Sequence, residues 1–448
     1  MSKPQVIDDE KHERAFERVA AVDVAKKEGM VCMRLPHPSR PGERQSVVWL
    51  VNATMNAVTS LAAELAGKHV QKVTLESTSD YWRIWYYVLE AAGLDVQLVS
   101  ASQARQLAGR PKTDKLDAMW LARLTENGLL RPSFVPPAPI RALRHYTRAR
   151  THLTRDRTRC WQRLEKLLED SLIKVSSVAS KLTTRSARDM IEALIAGERD
   201  PRALAALART RMKARHAALV EALAGMFDDH HGAIARILLD QISFLDARIA
   251  ELTTRIEDAI DAIPAAWGAD PDGVTSTTAG TGPGAAALPA VMRLAEIPGI
   301  SAELACSIIA ETGLDMTRFP TAAHLVAWTG LCPRTIQSGP RTRQARGQGN
   351  TYLRGYTGQA ATGAARTATF LGERHRRIAR RRGAARAQVA VARSILVIIW
   401  YLLSDRGARF RDLGPGYYET TIDTTRKARG HLRQLEALGY AVTLTPAA

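Results

Sequence analysis

The sequence predicts an α/β domain near the N-terminus followed by mainly helical domains. Short Val-rich segments alternate with helical periodicity over residues 18–131, which is the pattern of a sheet covered by helices. A run of prolines at 132–139 then interrupts the chain, and long helical patterns follow it. At 448 residues the chain is long enough for two or three folded units.

The α/β domain, residues 18–131, begins with three apolar segments that predict strands, at 18–24, 30–35 and 46–51. The elements predicted after them are a helix at 53–66, a strand at 70–75, a helix at 81–92, a strand at 95–99 and a helix that begins near Thr113. A meander of three strands followed by alternating helices and strands is the element order of the RNase H-like fold. We therefore expect an RNase H-like domain here.

The central region, residues 132–263, is predicted to be helical. Seven of its residues follow one another at alternating steps of four and three: Leu238, Ile242, Leu245, Ile249, Leu252, Ile256 and Ala259. This is the spacing of a heptad seam, and Ile alternating with Leu favours two parallel helices, as in a coiled-coil dimer. A helix packed inside its own chain has the same spacing, so the pattern leaves both arrangements open.

Residues 264–287 are rich in Gly, Thr, Ala and Pro without periodicity, which predicts a flexible linker. Residues 288–413 form the next predicted domain, which is mainly helical and contains an apolar helix around 389–403. Residues 1–17 and 414–448 are predicted to be tails. The predicted fold class is therefore α/β plus α, with a central helical coiled-coil region.

The charge balance points to a polyanionic partner. Lys and Arg number 63 against 45 acids, a formal net charge of +18, and basic surfaces bind phosphate backbones by displacing condensed counterions. The longest apolar run, 394–403, is shorter than the roughly 20 residues that span a bilayer, and the opening segment lacks the apolar core of a secretory signal. We expect a cytoplasmic, nucleoid-associated protein with no membrane partner.

Arginine is concentrated in two parts of the chain. Five arginines fall near one face of the first central helix, and residues 334–386 contain 13 Arg, no Lys and one acid. The planar guanidinium group suits bidentate contacts with phosphate, although a solvated charged face explains the first pattern equally well. The predicted nucleic-acid contacts are Arg141, Arg144, Arg148, Arg155, Arg159, Arg334, Arg341, Arg343, Arg346 and Arg354.

Four acids fall at the ends of predicted elements in the α/β domain. Asp23 lies near the end of the first strand, and Glu76 directly follows the fourth. Asp114 and Asp117 begin the last helix, three residues apart on one face, although Asp114 alone is also an ordinary first-turn acid. These segments are neighbours in an RNase H-like fold. Clustered carboxylates repel one another unless a cation neutralises them, which predicts a site for Mg²⁺ or Mn²⁺ suited to phosphodiester chemistry.

Seven short motifs carry a resemblance to a known family. They are VDVAKK (22–27), LESTSDYW (75–82), KTDKLDA (112–118), EIPGIS (296–301), WTGLCPRTIQSG (328–339), GQGNTYLR (347–354) and IIWYLL (398–403). Their content and order resemble the DEDD insertion-sequence transposases, the family that includes the Piv-type DNA invertases and the bridge-RNA-guided serine recombinases. The resemblance spans nearly the whole folded chain. It implies an N-terminal RNase H/RuvC-like DEDD domain and a C-terminal transposase domain.

The resemblance also implies roles for particular residues. It places the four acids at the metal-binding positions of the family, and Ser338 at the position of the nucleophile that forms a phosphoserine bond with DNA. Taken from the residues alone, Ser338 beside Gly339 is more typical of a turn. If it is the nucleophile, neighbouring guanidinium groups can stabilise its alkoxide and the pentavalent phosphate.

Several partners are expected. The resemblance implies donor DNA, target DNA and a structured non-coding guide RNA that selects sites by base pairing. The heptad pattern adds a homo-oligomer, either a dimer or a tetramer. The EIPGIS motif predicts a helix-hairpin-helix-like element whose turn presents backbone N–H groups to phosphate, although Pro-Gly also occurs in ordinary helix connections.

Two other functions are compatible with the residues. A metal-dependent, junction-resolving nuclease has the same fold and leaves Ser338 with a structural role. A non-catalytic nucleic-acid-binding protein needs only the charge, although the four intact acids argue against it. A further group of acids and histidines at 228–231 predicts a polar kink or a helix end rather than a metal site, because adjacent side chains of a helix point about 100° apart.

Overall fold

The computed structural model describes residues 14–77, 79–100, 113–267, 288–338, 341–346, 349–420 and 424–443. They belong to two compact units that divide between Val135 and Pro136. Most of the predicted N-terminal tail and most of the predicted linker, from residue 268 to residue 287, lie outside the described residues.

The first unit is built on a mixed five-stranded sheet. Its strands are β1 (Val19–Val24), β2 (Glu28–Pro36), β3 (Arg44–Asn52), β4 (Lys72–Ser77) and β5 (Val96–Ser100), and its helices are α1 (Met55–Gly67), α2 (Trp82–Ala91) and α3 (Asp114–Glu126). The strand order is β3-β2-β1-β4-β5. Strands β1 to β3 are antiparallel, whereas β4 pairs in parallel with β1 and β5. This confirms the predicted order of elements and is consistent with an RNase H-like domain.

Strands β2 and β3 are longer than predicted. Each has nine residues, and they pair from Glu28 with Asn52 to Pro36 with Arg44. The apolar pattern marks only the middle of each strand. The polar ends are held by the backbone ladder between the strands rather than by burial.

The two faces of the sheet have separate cores. Helices α1 and α2 cover one face, where Val22, Leu75 and Trp85 are fully buried. Helix α3 covers the other face, where Ala21 and Ala118 are fully buried. Because side chains alternate along a strand, the odd-numbered residues of β1 and the even-numbered residues of β4 belong to the α3 face.

The second unit is mainly helical in its described residues. Its longer helices are α4 (Ala138–Asp170), α6 (Arg185–Ile195), α8 (His216–Leu223), α9 (Asp229–Asp261), α11 (Ala302–Thr312), α12 (Ala322–Thr329), α13 (Thr351–Ala364), α14 (Phe370–Arg382), α15 (Ala384–Ser404) and α17 (Thr424–Ala437). Its shorter helices are α5 (Val175–Val178), α7 (Pro201–Ala206), α10 (Ala290–Ala295) and α16 (Tyr417–Thr420). Short 3-10 turns lie at Thr210–Arg215, Pro264–Trp267 and Met316–Arg318, and two strands form a hairpin, β6 (Pro333–Ser338) and β7 (Arg341–Arg346).

The two longest helices, α4 and α9, have 33 residues each and pack antiparallel. Arg157 of α4 bonds to Asp246 of α9 at 2.6 Å, and Arg150 donates to Thr253 at 2.7 Å. Residue numbers therefore rise along one helix as they fall along the other. Helices α6 to α8 share an apolar core with one end of this pair.

Four of the seven residues of the heptad seam of α9 are buried within the chain. Leu238 and Ile242 are buried in the core shared with α4, and Ile249 and Ile256 are buried as well. Of the two arrangements that the pattern left open, the structure shows the second, because α9 packs antiparallel against a helix of its own chain. Heptad spacing shows which face of a helix is apolar but not which chain covers it, so the homo-oligomer stays a prediction.

Helix α15 is longer than the apolar run seen in the sequence. Among the described residues it is the one helix long and apolar enough to cross a membrane by length and composition. Its residues Val391, Ile395 and Ile399 are fully buried, and it packs against α12, α13 and α14. These contacts are those of a core helix.

Within the predicted C-terminal tail, α16 packs against the helical unit. The rings of Tyr417 and Tyr418 lie 5.0 and 5.5 Å from the ring of Phe370 at the start of α14. Arg377 stacks over Tyr418 at 4.5 Å. Two adjacent aromatic residues in a predicted tail indicate that this part of the tail packs against the protein.

Candidate functional site

Helix α3 runs antiparallel to β1 and β4. Glu126, its last residue, lies 2.5 Å from Arg34, which pairs with Val19 at the start of β1. Thr125 donates to the Thr74 hydroxyl, near the start of β4, at 2.7 Å. The first turn of α3 therefore lies toward the carboxyl ends of both strands.

Asp23 and Glu76 lie side by side at the carboxyl ends of β1 and β4. They are register partners in the parallel pair, and neighbouring strands are about 4.8 Å apart. Asp23 lies two residues beyond Ala21, and Glu76 two residues beyond Thr74, so both acids belong to the α3 face. Glu76 is 5% exposed. Two acids predicted from separate motifs thus occupy one place in the fold.

Asp114 and Asp117 form part of the first turn of α3. Thr113 caps this turn, and its side chain accepts a hydrogen bond from the Leu116 N–H at 3.4 Å. Asp114 is exposed and Asp117 is half-buried. Because this end of α3 points to the carboxyl ends of β1 and β4, the structure brings all four predicted acids to one edge of the first unit.

The donor set at this edge fits a hard divalent cation. It consists of carboxylates, the oxygen ligands that Mg²⁺ prefers, held by two strands and one helix. In the described residues, three potential ligand atoms from different side chains lie within 4.8 Å of one another at Asp228, His230 and His231, and not among these four acids. The support for a metal site is therefore the location of the four acids at one edge, and not a complete set of metal–ligand distances.

The group at Asp228, His230 and His231 forms the start of a helix. Asp228 is the N-cap of α9 in a capping box with His231, whose Nδ1 accepts a hydrogen bond from the Asp228 N–H at 3.1 Å. The positive end of the helix dipole disfavours a cation at this position. The interpretation of this group as a helix end is confirmed.

Ser338 lies in a hairpin that the sequence analysis did not predict. It is the last residue of β6 and pairs with Arg341, the first residue of β7. The other predicted arginines of this segment, Arg334, Arg343 and Arg346, belong to the same two strands. The available signal was the Gly339-Pro340 pair, which is typical of a two-residue turn between strands. Both of these residues lie outside the described part of the chain.

The base of the hairpin is fixed by close backbone packing. Gly330 ends α12 in the left-handed conformation, with φ at +78°. A methyl group on Gly349 would lie 2.5 Å from the Gly330 nitrogen and 2.6 Å from the Thr329 oxygen. The Asn350 N–H donates to the Trp328 carbonyl at 3.3 Å. The chain therefore enters and leaves the hairpin at the same point.

Two of the arginines predicted to contact nucleic acid, Arg144 and Arg148, have hydrogen-bond partners within the protein. Arg144 donates to the carbonyl oxygens of Ala310 and Glu311 at 2.8 and 2.7 Å. Arg148 donates to both carboxylate oxygens of Glu311, at 2.7 and 2.9 Å. Their donors join α4 to the end of α11, and contact between these two residues and nucleic acid stays a prediction.

The other predicted arginines have varied surroundings. Arg141 is half-buried and donates to the Pro136 carbonyl at 2.9 Å. Arg155 and Arg159 are exposed, and Arg159 pairs with a neighbouring acid of α4 at 3.1 Å. Arg354 is half-buried in α13. Contact between these residues and nucleic acid stays a prediction.

Two family models match the chain. A DEDD transposase model of the IS110 type, described as "Transposase", matches residues 20–173, and a model described as "Transposase IS116/IS110/IS902 family" matches residues 291–394. Together they cover more than half of the chain and include the four acids and Ser338. A search of curated proteins gave no match. The chain therefore belongs to the IS110-type family of DEDD insertion-sequence transposases, enzymes that cleave and rejoin DNA.

Proposed function

We propose that this transposase exchanges DNA strands through a covalent phosphoserine intermediate. In this proposal Ser338 is the nucleophile, and Asp23, Glu76, Asp114 and Asp117 hold a divalent cation, Mg²⁺ or Mn²⁺. The observation that carries the metal site is the register pairing of Asp23 with Glu76 at the edge toward which the first turn of α3 points. The match of the second family model across Ser338 supports the nucleophile.

The proposed strand exchange needs no external energy source. The Ser338 Oγ attacks a DNA phosphorus and gives up its proton to a base, and the displaced sugar oxygen takes up a proton. One phosphoester bond forms as another breaks, so a strand can later be passed to a new hydroxyl without ATP. Arg341 and Arg343 are close to Ser338 in the sequence, and their positive charge can stabilise the phosphate during attack. A bound divalent cation supplies Lewis-acid stabilisation of phosphate charge.

We further propose that a structured non-coding RNA, carried by the same DNA element, guides site choice. The net charge of +18 and the Arg-rich segment 334–386 support a large polyanionic partner. Arg380, Arg381, Arg382 and Arg386 are exposed where α14 is followed by α15. Exposed arginines are suited to contacts with backbone phosphates, which position a protein on nucleic acid.

Glu76→Ala and Asp114→Ala test the metal site. Each variant should lower strand cleavage by more than about 100-fold, because loss of a ligand exceeds the 10- to 100-fold effect of losing an outer-shell partner. DNA binding should persist, since phosphate contacts come from other parts of the chain. Cleavage and gel-shift assays would use a plasmid carrying the complete DNA element that encodes the chain, with Mg²⁺ or Mn²⁺ present.

Asp95→Ala is the matched control for these variants. Asp95 is an exposed acid of the same unit, and it pairs with Lys72 at 2.7 Å at the start of β5. Its loss should leave cleavage unchanged. Cleavage at the normal rate by both Glu76→Ala and Asp114→Ala would show that the site assignment is wrong.

A further inference from the structure

The carboxylate of Glu311 lies at the centre of a buried polar cluster. Glu311 is at the end of α11 and is 0% exposed. Arg148 donates to both of its oxygens, Asn350 Nδ2 donates to Oε2 at 2.6 Å, and Arg144 Nε lies 3.5 Å from Oε2. A carboxylate buried to this degree requires such partners. The cluster therefore joins three helices, α4, α11 and α13.

Asn350 connects this cluster to the hairpin that contains Ser338. Its Oδ1 accepts hydrogen bonds from the Tyr352 and Leu353 N–H groups, both at 3.0 Å, and so caps the start of α13. Its Nδ2 donates to Glu311. Asn350 also follows Gly349, which packs against the residues before β6. One side chain thus ties the base of the hairpin to the buried carboxylate.

Helix α4 holds the same cluster from the other side. The Arg148 guanidinium stacks over the Tyr352 ring at 4.3 Å, and His152 Nε2 lies 2.6 Å from the Tyr352 hydroxyl. Burial lowers the pKa of Arg148, but the hydrogen bonds and charge of Glu311 outweigh burial, and the pKa is raised. The guanidinium therefore remains charged while it holds Glu311 in place.

We propose that Glu311 is a positioning residue for strand exchange, because its carboxylate fixes Asn350 to α4 and so holds the base of the hairpin that carries Ser338. This inference rests on the proposed role of Ser338 as nucleophile. In-line attack on phosphorus depends on alignment, and a displacement of about 1 Å can slow such a step by about 100-fold. A cluster that only stabilised helix packing would affect binding and stability, but not selectively the chemical step.

Two variants and one control separate these roles. Glu311→Gln removes the charge but keeps the shape of the side chain. Asn350→Ser keeps an oxygen that caps α13 and removes the amide nitrogen that donates to Glu311, so it tests the link even if Glu311→Gln fails to fold. Glu303→Gln is the control, because Glu303 pairs with Arg150 at 2.6 Å between the same helices, α11 and α4, but its side chain is 55% exposed.

The experiment uses the full-length transposase and a plasmid carrying the complete DNA element that encodes it. The rate of protein–DNA adduct formation is measured at saturating DNA, together with the DNA concentration for half-maximal binding and the thermal unfolding midpoint. We expect Glu311→Gln and Asn350→Ser to slow adduct formation by about 10- to 100-fold while half-maximal binding stays unchanged. Glu303→Gln should behave as the wild type.

Adduct formation at the wild-type rate by Asn350→Ser would overturn the inference. Equal slowing by the Glu303→Gln control would overturn it too, since any ion pair between these helices would then have the same effect. A wild-type protein that forms no adduct at all would instead refute the proposed function, and the inference would fall with it.

Discussion

Gly299, in the turn between α10 and α11, faces α13. Its φ is +88°, and a methyl group there would lie 2.2 Å from the Ala360 carbonyl oxygen. Gly299→Ala should therefore destabilise the second unit by roughly 2–4 kcal/mol, since it combines left-handed backbone strain with an overlap against a helix. Hydrogen exchange measured by mass spectrometry should show faster exchange in α11 and α13.

Gly383→Ala is the control for this prediction. Gly383 has φ at +82° between α14 and α15, and in the described part of the chain no atom beyond its chain neighbours lies within 4 Å of the position of a Cβ. With ψ at 159°, Gly383 lies in a backbone region nearly restricted to glycine. The control therefore carries backbone strain without the overlap, and its effect should be about 1–3 kcal/mol and smaller than that of Gly299→Ala. Equal effects of the two substitutions would contradict the close packing of the EIPGIS turn against α13.

Single residues differ in how far the sequence predicts their role. The acids of the first unit were predictable, because Asp23 and Glu76 lie near the ends of two strands and Asp114 begins a helix with a Thr cap. Glu311 was not, although an acid at the end of the apolar stretch 304–310 is a weak signal of a buried partner. The burial of Glu311 depends on its ion pair with Arg148, which is remote in sequence. Helical periodicity alone places Arg148 on a solvated face.

At the scale of elements, local patterns predicted the first unit well and the second less well. The strands and helices of the first unit alternate at short range, so their order determines their neighbours. In the second unit, the apolar seam of α9 is covered by α4, far away in sequence, and spacing could not identify that partner. The hairpin β6–β7 was missed because its strands are polar and Arg-rich, and thus lack the apolar alternation that indicates strands.

At the scale of the whole molecule, the net charge of +18 predicts that RNA co-purifies with the protein. The observed affinity for nucleic acid should fall linearly with salt on logarithmic axes, because bound phosphates release counterions. Ribonuclease treatment before DNA is added should abolish strand exchange while non-specific DNA binding persists. Strand exchange by RNA-free protein at the untreated rate would show that the guide-RNA part of the proposal is wrong.

The central claim is that strand exchange passes through a covalent bond between Ser338 and DNA. A hydrolytic nuclease uses water as its nucleophile and leaves no DNA on the chain. The most direct measurement is a denaturing gel of reactions stopped during strand exchange, followed by peptide mapping of the linked species by mass spectrometry. We predict DNA attached to Ser338, and loss of both the adduct and strand exchange in Ser338→Ala with nucleic-acid binding retained. No linked species, or strand exchange by Ser338→Ala, would contradict the account and favour the hydrolytic nuclease.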